Sequence, residues 1–463
     1  MTEEAVGASF RDPSGYVYRR DGVIYREINR SYASHYDHLM SSGLYEKLVS
    51  RRLLIAHEEI SDRRSADETP YLTIRPEKVA FISHPYEWSF SQLKDAARAT
   101  LRVQREALDF GMALKDASAY NIQFHEGRPT LIDTLSFETY EEGRPWVAYR
   151  QFCQHFLAPL ALMAYRDVRL GQLLRVHIDG IPLDLAWSLL PSRAWLNLHL
   201  LLHIRLHARY QRRYAAGATE VRHPVRPLSK RSLINLMAGI ESAVKKLEWK
   251  PVGTEWVEYY AGDSYTDAAA EHKMEMLARH LDRVDPDEVW DLGANVGVFS
   301  RIASDRKIRT IAFDVDPACV DRNYRQVRSA GETRILPLLM DLVNPSPAIG
   351  WANGERSSLL ERRSADLVMA LALIHHLAIS NNVPLQNLAD FFARLAKHLI
   401  IEFVPKSDPK VQTLLASRED VFPDYTKQGF EAAFRGPFEI EDATPIRGSE
   451  RTLYLMRRRA QAD

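Results

Sequence analysis

The chain is poor in cysteine, carries no surplus of either charge and has no long apolar run. Its 463 residues include 2 cysteines, Cys153 and Cys319, so spacing supports neither a disulfide framework nor a cysteine-built zinc site. Lys+Arg and Asp+Glu both number 61 and the formal net charge is zero, which gives no global attraction to nucleic acid or to an anionic membrane. The most apolar stretches, 156–165 and 195–206, are short or interrupted by His and Arg, unlike a bilayer span. The first residues, Met-Thr-Glu-Glu-Ala-Val-Gly, lack the basic and apolar regions of a signal peptide. The expectation is a cytoplasmic protein without a nucleic-acid or membrane partner. A Gly-x-Gly-x-x-Gly loop is also missing, which argues against a dinucleotide pyrophosphate packed on a tight turn. What is present is 46% hydrophobic residues, ample for packed cores, on a length that suggests two or three domains.

The N-terminal part alternates between strand and helix patterns. Residues 16–28 read as a β-hairpin turning near Asp21-Gly22. A helix is expected over 30–50, strands over 53–60 and 71–81, and a strong amphipathic helix over 91–110 with Ser91 as its N-cap. There follows Asp116-x-x-x-x-Asn121, a short strand, a turn at 125–129 and a second strand closing on Asp133. In phosphoryl transfer an Asp of this kind receives the hydroxyl proton, and the Asn and last Asp hold magnesium on the nucleotide phosphates. The segment resembles the catalytic loop and metal-binding strand of protein-kinase-like and aminoglycoside-phosphotransferase-like folds, with Asp116, Asn121 and Asp133 at the matching positions. It departs from them upstream, where no glycine-rich phosphate loop appears. Leu114-Lys115 stands before the first Asp, and Asp133 is followed by Thr-Leu.

Residues 146–215 are helical in pattern. His199, His203 and His207 fall on one face there, but Leu196, Leu200, Leu201, Ile204 and Leu206 surround them without an acidic or cysteine partner. That pattern suits a packed face better than a metal centre, and no metal is expected. Two prolines and a glycine break all periodicity over 216–231. This run is expected to be a linker between an N-terminal α+β domain, 1–215, and a second domain, 232–463.

The second domain opens its cofactor motif with Asp291-Leu-Gly293-Ala-Asn295-Val-Gly297, an apolar strand turning through glycines into a helix pattern. Glycines let backbone approach a ligand, and the helix N-terminus faces it. The next strand ends at Asp314 and the third at Asp341; a buried strand then runs into Ile374-His375-His376-Leu377, and a fifth strand carries Glu402. A carboxylate ending the second strand is placed to accept both hydroxyls of a ribose. Five βα units and a terminal antiparallel pair make an α/β fold.

This assembly looks like a class I S-adenosylmethionine-dependent methyltransferase over residues 254 to 456. The resemblance implies a doubly wound, Rossmann-like seven-stranded sheet of order 3-2-1-4-5-7-6. It implies S-adenosyl-L-methionine as cofactor, with Gly293, Gly297, Asp314 and Asp341 binding it and Asp291 and Asn295 shaping the loop. His375 and His376 stand on the acceptor side as candidate bases. Glu402 is a second acceptor-side candidate, and Tyr265 and Lys273 are weaker candidates to reach the cofactor. The Asn/Asp-Pro-Pro-Tyr motif of amino-group methylation is absent, which favours an oxygen acceptor on a small molecule or glycan. The whole pattern also resembles bacterial methyltransferases with nodulation or sugar-modification roles, without naming an acceptor. Two other readings stay open: a bifunctional protein with a working phosphotransferase half, and a non-catalytic scaffold.

Overall fold

The computed structural model describes residues 3–60, 70–205, 229–251, 267–416 and 419–460. The chain divides into unit 1, Met1–Lys250 with Ala348–Ser357, and unit 2, Pro251–Pro347 with Ser358–Asp463.

Unit 1 starts with an antiparallel five-stranded sheet of order β1-β2-β3-β5-β4. Its members are β1 (Glu3–Ala5), β2 (Gly15–Arg20), β3 (Val23–Asn29), β4 (His57–Ile60) and β5 (Pro70–Pro76). Between β2 and β3 the chain turns on Asp21 and Gly22, both at positive φ, 49° and 81°, the two-residue turn whose twist suits a hairpin. The helix expected over 30–50 is two helices, α1 (Ala33–Ser41) and α2 (Leu44–Ser50). Gly43 at φ 84° breaks the run, a left-handed conformation that glycine adopts without a Cβ penalty.

Helix α3 (Phe90–Asp109) buries Leu93, Ala96, Ala97, Leu101, Val103, Ala107 and Leu108, as its periodicity predicts. Its N-cap is Ser89, not Ser91: Ser89 Oγ accepts from the Gln92 amide, and the Gln92 side chain accepts from the Ser89 amide. That reciprocal pair satisfies two donors that the first turn leaves open, whereas Ser91 already lies inside the helix. Two small hairpins follow. One pairs β6 (Met112–Leu114) with β9 (Phe137–Thr139), and the other pairs β7 (Ile122–His125) with β8 (Arg128–Leu131).

The domain boundary lies later than expected. Helix α4 (Lys230–Lys246) packs on α3, and Lys94 Nζ donates to the carbonyls of Lys245 and Leu247 at 2.9 and 2.7 Å. The break between units therefore falls after Lys250; 216–228 of the expected linker lie outside the described residues. A second difference is that Ala348–Ser357 belongs to unit 1. There the Arg11 guanidinium donates to Glu355 at 2.6 Å, and Arg356 sits 4.4 Å from the Tyr120 ring centroid. Neither contact has a local sequence signature.

Unit 2 is built on a seven-stranded sheet. Its strands are β10 (Glu288–Leu292), β11 (Arg309–Asp314), β12 (Ile335–Leu339), β13 (Ala365–Ala370), β14 (Ala396–Phe403), β15 (Phe438–Pro445) and β16 (Thr452–Arg458). The order is β12-β11-β10-β13-β14-β16-β15, or 3-2-1-4-5-7-6 in chain order. The first five strands are parallel, and β16 and β15 close the sheet antiparallel. All five residues of β10 are buried, as expected of a central parallel strand covered on both faces. Helix α5 (Asp267–Val284) lays Met276, Leu277 and Leu281 against Val289, Phe299, Leu367 and Leu453. Each such side chain contributes about 2 kcal/mol of apolar burial. Strand β11 leads to α7 (Pro317–Ala330) and β10 to α6 (Val298–Ser304). Because β11 and β12 run out to one side of β10 and β13 starts on the other, the strand order reverses between β10 and β13. Parallel sheets bind ligands outside the carboxyl ends of the strands at such a reversal.

Candidate functional site

At that reversal unit 2 holds a cavity of about 420 Å³, within the range of small-molecule sites. Of the residues expected at a cofactor site, Asp291, Gly293, Asn295, Asp314 and Asp341 line it. The turn after β10 explains how. Gly293 at φ 77° and Asn295 at φ 52° curl the backbone, and the amides of Gly293 and Ala294 both donate to the Phe313 carbonyl at 2.9 Å. The loop is thus tied to the neighbouring strand and its inner side stays open.

Asp314 Oδ2 accepts from the Asn295 amide at 2.7 Å, and Asp314 Oδ1 from the Asp316 amide at 2.8 Å. A carboxylate offers about four acceptor sites, so acceptor capacity remains beyond these bonds. Burial pushes this carboxyl up to about 6, so it gains from donors that favour its charged form. Asp341 follows β12 and caps its own turn by accepting from the Val343 amide at 2.9 Å.

Gly297 does not line the cavity. It N-caps α6 at φ 80°, and a Cβ there would come within 2.5 Å of Asn323 Nδ2 and 2.7 Å of Arg301 Nη1. Its role is to let helix α6 start against α7. Asp291 is buried and accepts from Ser300 Oγ at 2.6 Å; burial pushes its carboxyl up to about 7.

The two histidines separate. His376 lines the cavity, and burial lowers its imidazole to about 4, so the ring is neutral near neutral pH. His375 is fully buried, does not line the cavity, and has no hydrogen-bond partner for either ring nitrogen among the described residues. Its ring lies 4.1 Å from that of His376. Burial holds His375 well below the ordinary imidazole range, as a neutral packing group. The pair opens a helical turn, with His375 at φ −67° and ψ −31° just before His376–Ser380, so successive side chains point to different sides; a dipeptide motif does not show which member faces outward.

Glu402 is fully buried at the end of β14 and does not line the cavity. It accepts from Lys273 Nζ at 2.6 Å, from the Ala372 amide at 2.9 Å and from Arg451 Nη1 at 3.1 Å, and Arg451 Nε donates to Asp408 at 2.7 Å. Lys273 lines the cavity; Tyr265 lies outside the described residues. Sequence reasoning named Lys273 and Glu402 separately and missed Arg451 and Asp408. The signal was present in part, because a carboxylate buried at the end of a central strand requires cations.

In unit 1 the phosphotransfer-like residues also come together. Asn121 Nδ2 donates to Ser136 Oγ at 3.2 Å, and Ser136 Oγ donates to Asp133 Oδ2 at 2.6 Å. Asp133 Oδ1 pairs with Arg26 Nη1 at 2.6 Å and accepts from the Leu135 amide. Asp116 accepts from the Ser118 amide at 2.8 Å. His203 Nδ1 lies 2.6 Å from Tyr149 Oη, and His207 is outside the described residues. Among the described residues no group of three or more His, Cys, Asp or Glu is arranged to hold a metal, and no helix is long and apolar enough to cross a membrane.

No protein-family model matches the chain. Among solved structures, the N-methyltransferase NodS from Bradyrhizobium japonicum WM9 is similar over 42% of this chain and 98% of its own, at 12% identity and a TM-score of 0.30. Magnesium protoporphyrin IX methyltransferase from Synechocystis PCC 6803, solved with bound SAM, is similar over 44% of this chain and 90% of its own, at 14% identity and a TM-score of 0.30. The nodulation protein NoeA of Rhizobium meliloti (strain 1021) is 36% identical over 462 residues, 98% of this chain and 96% of that protein. The match covers nearly the whole chain, and the chain belongs to the same family as NoeA.

Proposed function

We propose that unit 2 is an S-adenosylmethionine-dependent methyltransferase, with an oxygen on a small molecule or glycan as the acceptor. The observation that carries this reading is the cavity at the sheet reversal, where Asp291, Gly293, Asn295, Asp314 and Asp341 meet. The donor set fits the cofactor. The free lone pairs of Asp314 suit ribose hydroxyls, and Asp341 suits an adenine amino group. The glycine turn leaves room for backbone to approach the sulfonium arm. When bound, the cofactor supplies a methyl group on positively charged sulfur, ready for in-line displacement.

The chain's own residues then have two tasks. The loop 371–376 orients the acceptor, and neutral His376 takes the hydroxyl proton as the O–CH₃ bond forms and the S–CH₃ bond breaks. We read unit 1 as an accessory domain of kinase-like type that selects the acceptor. The Asp116, Asn121 and Asp133 cluster supports that reading, while the Arg26 pair on Asp133 speaks against phosphotransfer. Isothermal titration with S-adenosylhomocysteine tests the proposal. The full chain should bind it, and Asp314→Ala should bind it about 100-fold or more weakly. Absence of binding by the unaltered chain overturns the reading.

A further inference from the structure

Unit 1 holds a guanidinium with no carboxylate against it. Arg356 lies on the Ala348–Ser357 segment, and its backbone amide and carbonyl both bond Ile349 at 3.1 Å. Its side chain is part-buried. The Cζ stands 4.4 Å from the Tyr120 ring centroid, and Nη1 donates to the Glu355 carbonyl at 3.4 Å. Nε is buried with no hydrogen-bond partner among the described residues. Arg26, Arg301 and Arg451 are also shielded from water, and each of them pairs with a carboxylate. Burial pulls the Arg356 guanidinium below its ordinary range, because a cation out of water is costly unless it is paired.

The neighbouring acids are engaged elsewhere. The Glu355 carboxylate accepts from Arg11 at 2.6 Å and from the Trp351 amide at 2.8 Å. Asp116 accepts from the Ser118 amide at 2.8 Å and acts on Arg356 from beyond ion-pair distance. A second orphaned group stands beside the same ring. His155 is 1% exposed, its ring meets Tyr120 edge-on at 6.2 Å, and its Nδ1 has no partner among the described residues. Burial, and after it the charge of Arg356, lowers this imidazole to about 3. The ring is therefore neutral, with a proton on one nitrogen.

We propose that Arg356, with His155 and the Tyr120 ring beside it, is a binding site in unit 1 for the carboxylate of a small monoanionic ligand. The assignment is separate from the methyltransferase reading of unit 2 and does not depend on it. A guanidinium presents its N–H groups in a planar fork that matches a carboxylate. Contact with the Tyr120 ring and the two bonds to Ile349 hold that fork in place. The neutral imidazole adds a donor without adding charge. Asp116 sets the charge of the ligand. One negative charge balances Arg356, whereas a dianionic phosphate would also be repelled by the Asp116 carboxylate.

Saturation-transfer NMR on the full chain tests the site, with acetate as the probe and ionic strength held fixed. The unaltered chain should saturate the acetate methyl signal, and formate should displace acetate where chloride does not. In Arg356→Met the affinity for acetate should fall about 10-fold or more. Arg356→Lys, which keeps the charge and loses the fork, should fall between the two and serves where the Met variant does not fold. His155→Phe should weaken acetate by about 3-fold. No acetate signal from the unaltered chain, or the same affinity in Arg356→Met, overturns the assignment. Stronger displacement by phosphate than by formate overturns the choice of a monoanionic carboxylate. A signal that excess S-adenosylhomocysteine abolishes would place the acetate in unit 2 and overturn it as well.

Discussion

Asp133 in unit 1 and Asp314 in unit 2 both end a short apolar stretch, and both sit in clusters of acids and amides. Asp133 turns inward. Arg26 pairs with one oxygen, Ser136 Oγ donates to the other, and the Leu135 amide adds a third bond. Asp314 accepts from backbone amides, that of Asn295 on one oxygen and that of Asp316 on the other, and lines a cavity of about 420 Å³. The contrast lies in what neutralises each acid. A guanidinium from the chain itself fills the place that a cation would need at Asp133, while Asp314 is held by neutral dipoles and stays charge-hungry toward a ligand. Presence of the right residue types is therefore a weaker sign of function than the identity of their partners.

The largest test of that contrast is ligand affinity. Asp314→Ala should weaken S-adenosylhomocysteine by about 100-fold or more, since two ribose contacts and the loop tether are lost together. Asp133→Ala should leave it unchanged. Equal losses in a titration of both variants would erase the distinction. Next comes turnover. His376→Ala should lower incorporation of labelled methyl into a small-molecule extract by about 100-fold or more, as for loss of a general base. The pH profile of the unaltered chain at saturating cofactor should show no imidazole step between pH 6 and 8, because an imidazole lowered to about 4 is already neutral there. His375→Asn is the matched control. A larger loss of turnover there than in His376→Ala would reverse the roles given to the pair.

Unit 2 was the more legible half because its signals are local. Successive βα units place an acid at or near a strand end, so Asp291, Asp314 and Asp341 converge on one cavity. The ion network escaped because Lys273, Glu402, Asp408 and Arg451 come from four separate elements, and only the fold makes them neighbours. The same holds in unit 1, where Asp133 was read correctly as the end of a hairpin but Arg26, on β3, belongs to a different sheet. The assignment of Ala348–Ser357 to unit 1 was illegible for a related reason. No composition shift marks a segment whose partners, Arg11 and Tyr120, lie far back in the chain. Periodicity reported which faces are buried, as in α3, and missed the cap by two residues because Ser89 and Ser91 offer the same chemistry.

A smaller effect concerns stability. Asp133→Ala leaves Arg26, 12% exposed, with Asp12 as its remaining carboxylate. The loss should be about 2 kcal/mol, seen as a lower urea midpoint at constant slope. The double change Arg26→Met with Asp133→Asn should recover part of it, since the buried pair is removed together and the part-exposed Asp12 is the one carboxylate that loses Arg26. If the single change costs nothing, the pair is not what holds Asp133.

The smallest effect is the one with a sign to settle. Burial raises the Asp291 carboxyl to about 7, so between its ordinary range near pH 4 and about pH 7 the folded chain holds a proton there that the unfolded chain releases. Stability contributed at this site is therefore full below pH 4 and declines as pH rises through 7. Asp291→Asn removes that decline. It should stabilise the ligand-free chain at pH 8 relative to pH 5 by on the order of 1 kcal/mol, a net figure because the amide also loses the charge-assisted bond from Ser300. Melting curves at the two pH values, with and without S-adenosylhomocysteine, separate the terms. If Asp291 faces the ligand's ammonium, the ligand should offset the pH 8 penalty in the unaltered chain and do so less in the Asn variant. A pH response identical in the two proteins would mean that Asp291 is ionised at no cost, and that the cavity of unit 2 resembles the self-neutralised cluster of unit 1 more closely than its open geometry implies.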